Sequence, residues 1–214
     1  MKEKDVKELE ESLSTLFFDK LVHSLFKDGT ITISEFDNKE KLLEKILKIN
    51  AKTEYKIVLD YKEDLLNTAR QFNELGKVNN AKIFYATYFE HQLNGIIDEL
   101  CSLKSINKKE INNIIKSINL EGKLTWLPLI LEIPKISVKH KNVILKLAGE
   151  RNAFIHYKYN PEPDEIETNE KQKEQEDIVK IEKTITYLKK YTSRVLYKNK
   201  KTELETKLKK RNKN

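Results

Sequence analysis

Cysteine is almost missing from this chain: Cys101 stands alone in 214 residues. It can form no intramolecular disulfide, so no disulfide framework holds the fold, and the composition suits a reducing cytoplasm. Glycine (five) and proline (four) are nearly as scarce, while Lys, Glu, Leu and Ile dominate. Few turn residues and many helix formers point to an all-α fold. Long apolar runs are also lacking. The longest, "TWLPLILEIP", is too short to cross a bilayer and contains prolines. The first residues, "MKEKDVKELEESL", are charged throughout and lack the apolar core of a signal peptide. These absences together argue for a cytoplasmic protein that does not engage a membrane. Histidine occurs four times (His23, His91, His140, His156), scattered and without metal-ligand spacing, which argues against a structural zinc.

Charge is what the chain has in abundance. Charged residues make up 35% against 38% apolar, so the core of one chain is thin and packing against a second copy is a natural way to bury more surface. The net charge of +7 is unevenly spread. Residues 179–214 carry 11 Lys and two Arg against three Glu, or +10, and the other 178 residues sum to −3. A mildly acidic body therefore carries a basic end.

Apolar spacing divides the chain into helices. Val6, Leu9, Leu13, Phe17, Leu21 and Leu25 recur at three- and four-residue steps, predicting a helix over 3–26 that Asp28-Gly29 ends. "TITISEF" alternates briefly and is read as a short strand or an extended connector. A second helix is expected at about 38–49. The spacing of Val58, Tyr61, Leu65, Ala69 and Phe72 predicts a helix from Tyr55 to Leu75, and Gly76 turns the chain into another from about Asn79 to Leu103. A short helix follows in "NKKEINNIIKSI", then an apolar segment broken by Pro128 and Pro134. The next helix starts near Ser137, a good N-cap, and Gly149 weakens it just before Arg151. Residues 161–177 hold eight acidic residues against two Lys and no aromatics, and read as a linker or loop. From Ile178 to Val195 apolar residues again step by three and four, predicting a last long helix decorated by Tyr187, Tyr191, Tyr197 and lysines. Trp126 and Cys101 read as core residues, and His91 as structural. No repeat occurs at a period of 30 to 50 residues, which argues against a solenoid.

One stretch stands out: "LAGERNAFIHYKYNP", residues 147–161. Only four of the 41 basic residues are Arg, and here Arg151 precedes Asn152, with His156 close behind. Imidazole takes and returns protons near neutral pH, while guanidinium offers a fork of donors to phosphate oxygens and stabilises the charge that grows on them. In RNA the 2′-hydroxyl is already the nucleophile, so a base, an acid and a phosphate clamp suffice without a metal or cofactor. Geometry adds a condition. Residues five apart on an unbroken helix diverge by about 140°, so Arg151 and His156 converge only across a helix start or kink. Gly149 is the expected break, with Asn152 a possible cap. One site would still hold one imidazole. Two copies about a twofold axis would supply both acid and base.

"RNAFIH" resembles the R-x4–6-H motif of the HEPN domain (higher eukaryotes and prokaryotes nucleotide-binding), in which a polar residue, often Asn, commonly follows the Arg. The upstream stretch "ARQFNELGKVNNAKIFYATYFEHQLNGII" is similar to the HEPN helical hairpin, with Ala81 on entry and Glu90 before Leu93. With "GKLTWLPLI" and the helix leading to Arg151, the resemblance spans about 55–160, roughly half the chain, and sets the motif at the start of the fourth core helix. It implies a four-helix HEPN-like bundle that dimerises around the motif and serves as a metal-independent endoribonuclease of the toxin, abortive-infection or anti-phage kind. Carried across, Arg151 binds the phosphate, His156 is catalytic, Asn152 orients them or the RNA, and Glu90 and Tyr157 support. One HEPN toxin branch has a tyrosine two residues after the His. Here that place is Lys158, between Tyr157 and Tyr159.

The implied organisation is an N-terminal helical extension (1–54), a HEPN-like core (55–160), an acidic linker (161–177) and a basic amphipathic C-terminal helix (178–214). Lys158, Tyr187, Lys189, Lys190, Tyr191 and Arg194 form a weaker expected RNA surface, with lysines on backbone and tyrosines under bases. Expected partners are RNA, a second copy completing the site, and an antitoxin or defence-system protein. Two other readings stand beside the ribonuclease. One is an inactive HEPN-like interaction or nucleotide-binding module, and the other is a basic helical RNA-binding accessory.

Overall fold

The computed structural model of the protein describes residues 15, 17–50, 61–156 and 168–211, and among these every regular element is helical. Helix α1 covers 17–27 and a 3-10 helix Ile33–Asp37. They are followed by α2 (Lys39–Asn50), α3 (Lys62–Glu74), α4 (Val78–Leu103), α5 (Lys108–Ser117), α6 (Leu120–Leu124) and α7 (Trp126–Ile130). Helices α8 (Val138–Ile155), α9 (Thr168–Tyr197) and α10 (Lys201–Arg211) complete the order. The fold is all-α. Among the described residues no helix is long and apolar enough to cross a membrane.

The chain divides into two compact units, residues 1–59 with 196–214, and residues 60–195. The larger unit is built round α4. Ala81, Tyr85, Phe89, Leu93, Ile96 and Leu100 step along it by three and four and are all buried. Each large apolar side chain so buried contributes about 1.5–3 kcal/mol. Helix α3 packs against it as the second arm of a hairpin, burying Leu66 and Ala69. The turn is set by Gly76 at φ +70°. The Lys77 N–H donates to Phe72 O at 2.9 Å and the Gly76 N–H to Asn73 O at 3.0 Å, the paired bonds of a left-handed helix end that glycine adopts without strain. Side-chain caps start the shorter helices: Asn107 accepts from the Glu110 N–H on α5, and Asn119 from the Gly122 N–H on α6.

Helix α9 belongs to this unit up to Val195, and its polar contacts reach three neighbours. Glu182 accepts both Nε and Nη2 of Arg70 on α3 (2.9 and 2.7 Å) and the Tyr85 hydroxyl of α4 (2.9 Å). Gln92 donates to Thr192 at 2.8 Å, and Thr184 bonds the His140 ring at 2.8 Å on α8. Ile178, Ile181, Ile185 and Leu188 are buried beneath these bonds. The last helix is therefore part of the core, where the sequence reading appends it.

In the other unit Leu21, Val22, Ile31, Leu42, Ile46, Leu204 and Leu208 are buried. Lys207 of α10 donates to Ile33 O at 3.0 Å and pairs with Asp37 at 2.8 Å, while His23 meets the Tyr197 hydroxyl at 3.2 Å. The N-terminal part and residues 196–214 thus form one unit, while residues 178–195 of the expected C-terminal extension belong to the other.

Several sequence expectations need correction. "TITISEF" makes a 3-10 turn in place of a strand, because Glu35 reaches back to accept the Thr32 N–H at 2.6 Å. The acidic stretch is partly helical, since α9 starts at Thr168, ten residues before Ile178. Carboxylates in early turns suit the positive end of a helix, and Asp177 also holds Lys146 at 2.5 Å and Lys180 at 3.5 Å. Trp126 is 46% exposed and lies over Gly122, outside the core. Gly149 breaks nothing: α8 runs through it to Ile155. The N-terminal part of the first expected helix (before residue 15), the start of the Tyr55 helix (55–60), and Tyr157 to Pro161 lie outside the described residues.

Candidate functional site

Three helices bring the site together. Glu90 sits midway along α4 and Asn94 one turn later on the same face. Helix α6, held by the Asn119 cap, supplies Lys123. The last two turns of α8 carry Arg151 and Asn152, with His156 at its C-cap. Asn152 lies inside the helix and caps nothing at its start.

Arg151 is anchored on two sides. Its Nη1 donates to Glu90 Oε2 at 2.8 Å, and its Nε and Nη2 share Asn152 Oδ1 at 3.3 and 3.2 Å. Its side chain is 20% exposed, so the pair with Glu90 is partly screened from water. A guanidinium has five N–H groups. Three are engaged and two have no partner among the described residues. The neighbouring Glu150 faces Lys82 at 3.1 Å and Lys146 at 3.7 Å, so it does not compete for Arg151.

His156 is exposed, its backbone N–H donating to Asn152 O at 3.1 Å. Because α8 continues through Gly149, His156 follows Arg151 by about 140° round the axis. The two side chains of one molecule thus point to different sides of the helix end. Phe154 and Ile155 lie between them on the exposed end of α8. Glu90, named from the sequence only as a supporting residue, meets Arg151, and Asn152 does as well. Arg151 and His156 are not brought together. Tyr157 and Lys158 fall outside the described residues. His91, beside Glu90, is exposed.

Sequence reasoning missed Asn94 and Lys123. Lys123 is only 5% exposed, and its ammonium donates to Asn94 Oδ1 at 2.8 Å. Burial pushes its proton affinity down, and the charge of Glu90 opposes that. The signal was a single charged residue inside the apolar stretch "GKLTWLPLI", on a segment expected to be core.

The tyrosines of α9 are structural. Tyr191 is 2% exposed, donates to Pro134 O at 2.6 Å, and burial pushes its hydroxyl up to about 12. Tyr187 stacks on His140 at 4.1 Å between centroids and accepts the Ser137 N–H at 2.9 Å. The Tyr191 ring is thus covered, while Tyr187 is half-buried with one face against His140. Lys189 pairs with Glu63 at 3.1 Å, while Lys190 and Arg194 are exposed, Arg194 lying over the Tyr191 ring at 5.5 Å.

Among the described residues no group of three or more His, Cys, Asp or Glu is placed to hold a metal ion. No protein-family model matches the chain, and no curated protein or solved structure matches it either.

Proposed function

We propose that the chain is a metal-independent endoribonuclease of the HEPN kind, cleaving RNA as a homodimer and acting as a toxin or anti-phage effector. One observation carries the reading. At the exposed end of α8 an arginine is fixed by Glu90 and Asn152, two of its N–H groups are left over among the described residues, and a histidine stands just beyond it. Arg151 receives the scissile phosphate and stabilises the charge that develops on its oxygens. One His156 takes the proton of the 2′-hydroxyl. A second protonates the leaving 5′-oxygen.

The divergence of Arg151 and His156 supports a composite site. A second copy about a twofold axis can offer its His156 where the first offers Arg151. Exposed Phe154 and Ile155 (53% exposed) give that contact apolar surface to bury. An antitoxin or defence-system partner covering this face would silence the enzyme. A second reading, an interaction module without catalysis, is favoured by the Glu90 carboxylate already bound to the guanidinium.

Cleavage of mixed RNAs in excess chelator tests the choice. The ribonuclease reading expects cleavage by the wild type and none by Arg151→Ala or His156→Ala, both folded. Wild-type protein that leaves the RNAs intact, alone and with its partner, decides for the interaction module.

A further inference from the structure

Lys123 is a charge that the chemistry above leaves unused. Buried ammonium groups are nearly always paired with a carboxylate, because an uncompensated charge away from water opposes folding. Even the half-buried Lys82 has a carboxylate partner, Glu150 at 3.1 Å. Lys123 does not. Among the described residues it has one hydrogen bond, to the neutral Oδ1 of Asn94, and no carboxylate within ion-pair distance. An apolar residue would suit the surrounding "GKLTWLPLI" better. Its position explains what the charge is for. Asn94, which holds Lys123 at 2.8 Å, lies one turn beyond Glu90 on the same face of α4, so the ammonium is set beside the Glu90–Arg151 pair, and the carboxylate charge opposes the effect of burial on it. Glu90 in turn holds Arg151 at 2.8 Å. The order is Asn94, Lys123, Glu90, Arg151, Asn152.

Charge arithmetic gives this order a consequence. Arg151 and Glu90 alone form a neutral pair, to which a phosphodiester is not attracted. With Lys123 the group carries one net positive charge, matching the single negative charge of a phosphodiester. When the phosphate arrives at Arg151, Glu90 keeps a cation one helical turn away, at the Lys123–Asn94 bond.

We propose that Lys123 is a positioning residue that acts through Glu90, keeping the carboxylate in place behind Arg151 and leaving the guanidinium with positive charge for RNA. The role in RNA binding rests on the assignment of Arg151 as phosphate clamp. The coupling to Arg151 does not, and the two are measured separately.

Lys123→Met keeps the side-chain length and removes the charge. The first readout is the Arg151 Nη1–H signal, the one bonded to Glu90, in low-temperature nitrogen-15 NMR of the RNA-free protein. In the wild type this signal is expected to exchange slowly with water. Lys123→Met speeds the exchange about tenfold, the scale of a contact coupling, and the melting temperature stays the same or rises because a buried charge is gone. In a Glu90→Gln background, Lys123→Met has no further effect. Lys123→Arg restores slow exchange, and Lys123→Gln replaces Lys123→Met should the latter not fold. Arg151 exchange that is fast in the wild type, or equal in wild type and Lys123→Met, overturns the proposal. So does an Lys123→Met effect that is undiminished in the Glu90→Gln background. The second readout is RNA cleavage, where Lys123→Met raises KM about tenfold with kcat little changed. Wild-type protein inert toward RNA would sink the ribonuclease reading and leave the Arg151 measurement standing.

Discussion

Replacing Gly149 by alanine separates a straight α8 from a hinged one. Gly149 lies inside the helix two residues before Arg151, and a methyl group built on it meets no atom within 4 Å. Nothing there needs the space, so the substitution acts through the backbone alone. Glycine in a helix interior is about 0.5–1 kcal/mol less favourable than alanine. For a body of 150–250 residues that is a rise of about 1–4 °C in melting temperature. Thermal unfolding followed by circular dichroism measures it directly. RNA cleavage by the same variant should stay within about twofold of wild type, a limit near 0.4 kcal/mol, because the Arg151–Glu90 and Arg151–Asn152 bonds form on a helix that already continues through position 149. A lower melting temperature would refute the straight helix. A raised melting temperature with cleavage lost would show that α8 must break at Gly149 during the reaction, bringing Arg151 and His156 of one chain to one side.

Other perturbations test the surrounding frame. Glu182→Gln weakens the bidentate bond to Arg70 and the acceptor for the buried Tyr85 hydroxyl, so a loss of about 1–3 kcal/mol is expected in urea unfolding, with an unchanged value counting against the hub. Gly122→Ala drives a methyl to 2.8 Å from Ile118 Cγ2 and Trp126 Nε1, beside Lys123. It should destabilise by about 1–3 kcal/mol and shift the Trp126 fluorescence, and a neutral result would mean the indole swings freely aside. Burial and the nearby Lys27 lower the His23 pKa from 6.5 to about 4, so the unfolded chain takes up that proton first. The unit of residues 1–59 and 196–214 is therefore most stable above about pH 6.5 and loses about 1–2 kcal/mol as pH falls from there through 4, allowing for solvent screening. Hydrogen exchange of α1 and α10 amides should follow that curve, and His23→Gln should flatten it.

Helix positions were legible wherever periodicity and punctuation agreed. The α3–α4 hairpin is the clearest case, since the apolar stripe of α4 and the conformational freedom of Gly76 both speak through local sequence. The 3-10 turn was missed: the structure shows a Thr32–Glu35 capping box, while the sequence reading rests on the apolar alternation around Ile31 and Ile33 alone. Alternation over so few residues fits any conformation that buries both. The start of α9 was hidden because an acidic stretch with little apolar content reads as a loop, while the bond that ties Asp177 to α8 comes from Lys146, 31 residues away in sequence.

At the site, Glu90 and Arg151 could be named from a motif and a hairpin resemblance, and they meet. Lys123 could not be, because its meaning depends on α6 laying it beside Asn94 of α4, a contact 29 residues apart in sequence. The tyrosines of α9 failed in the opposite direction. Their spacing beside lysines suggests an RNA-stacking face, but burial of Tyr191 and the Tyr187–His140 stack are decided by α8 and the Pro134 carbonyl. Gly149 shows the same limit. Its low helix propensity is real, and the packing of Ile144, Leu147 and Ala148 overrides it.

Cleavage by an attacking 2′-hydroxyl leaves a distinctive product, and its detection tests the central claim most directly. An RNA cut by the wild-type protein in excess chelator should end in a 2′,3′-cyclic phosphate opposite a 5′-hydroxyl. A single 2′-deoxy substitution at the cut site should abolish the reaction, as should His156→Ala. Cleavage that persists at the deoxy site, or that leaves a 5′-phosphate, would contradict the account.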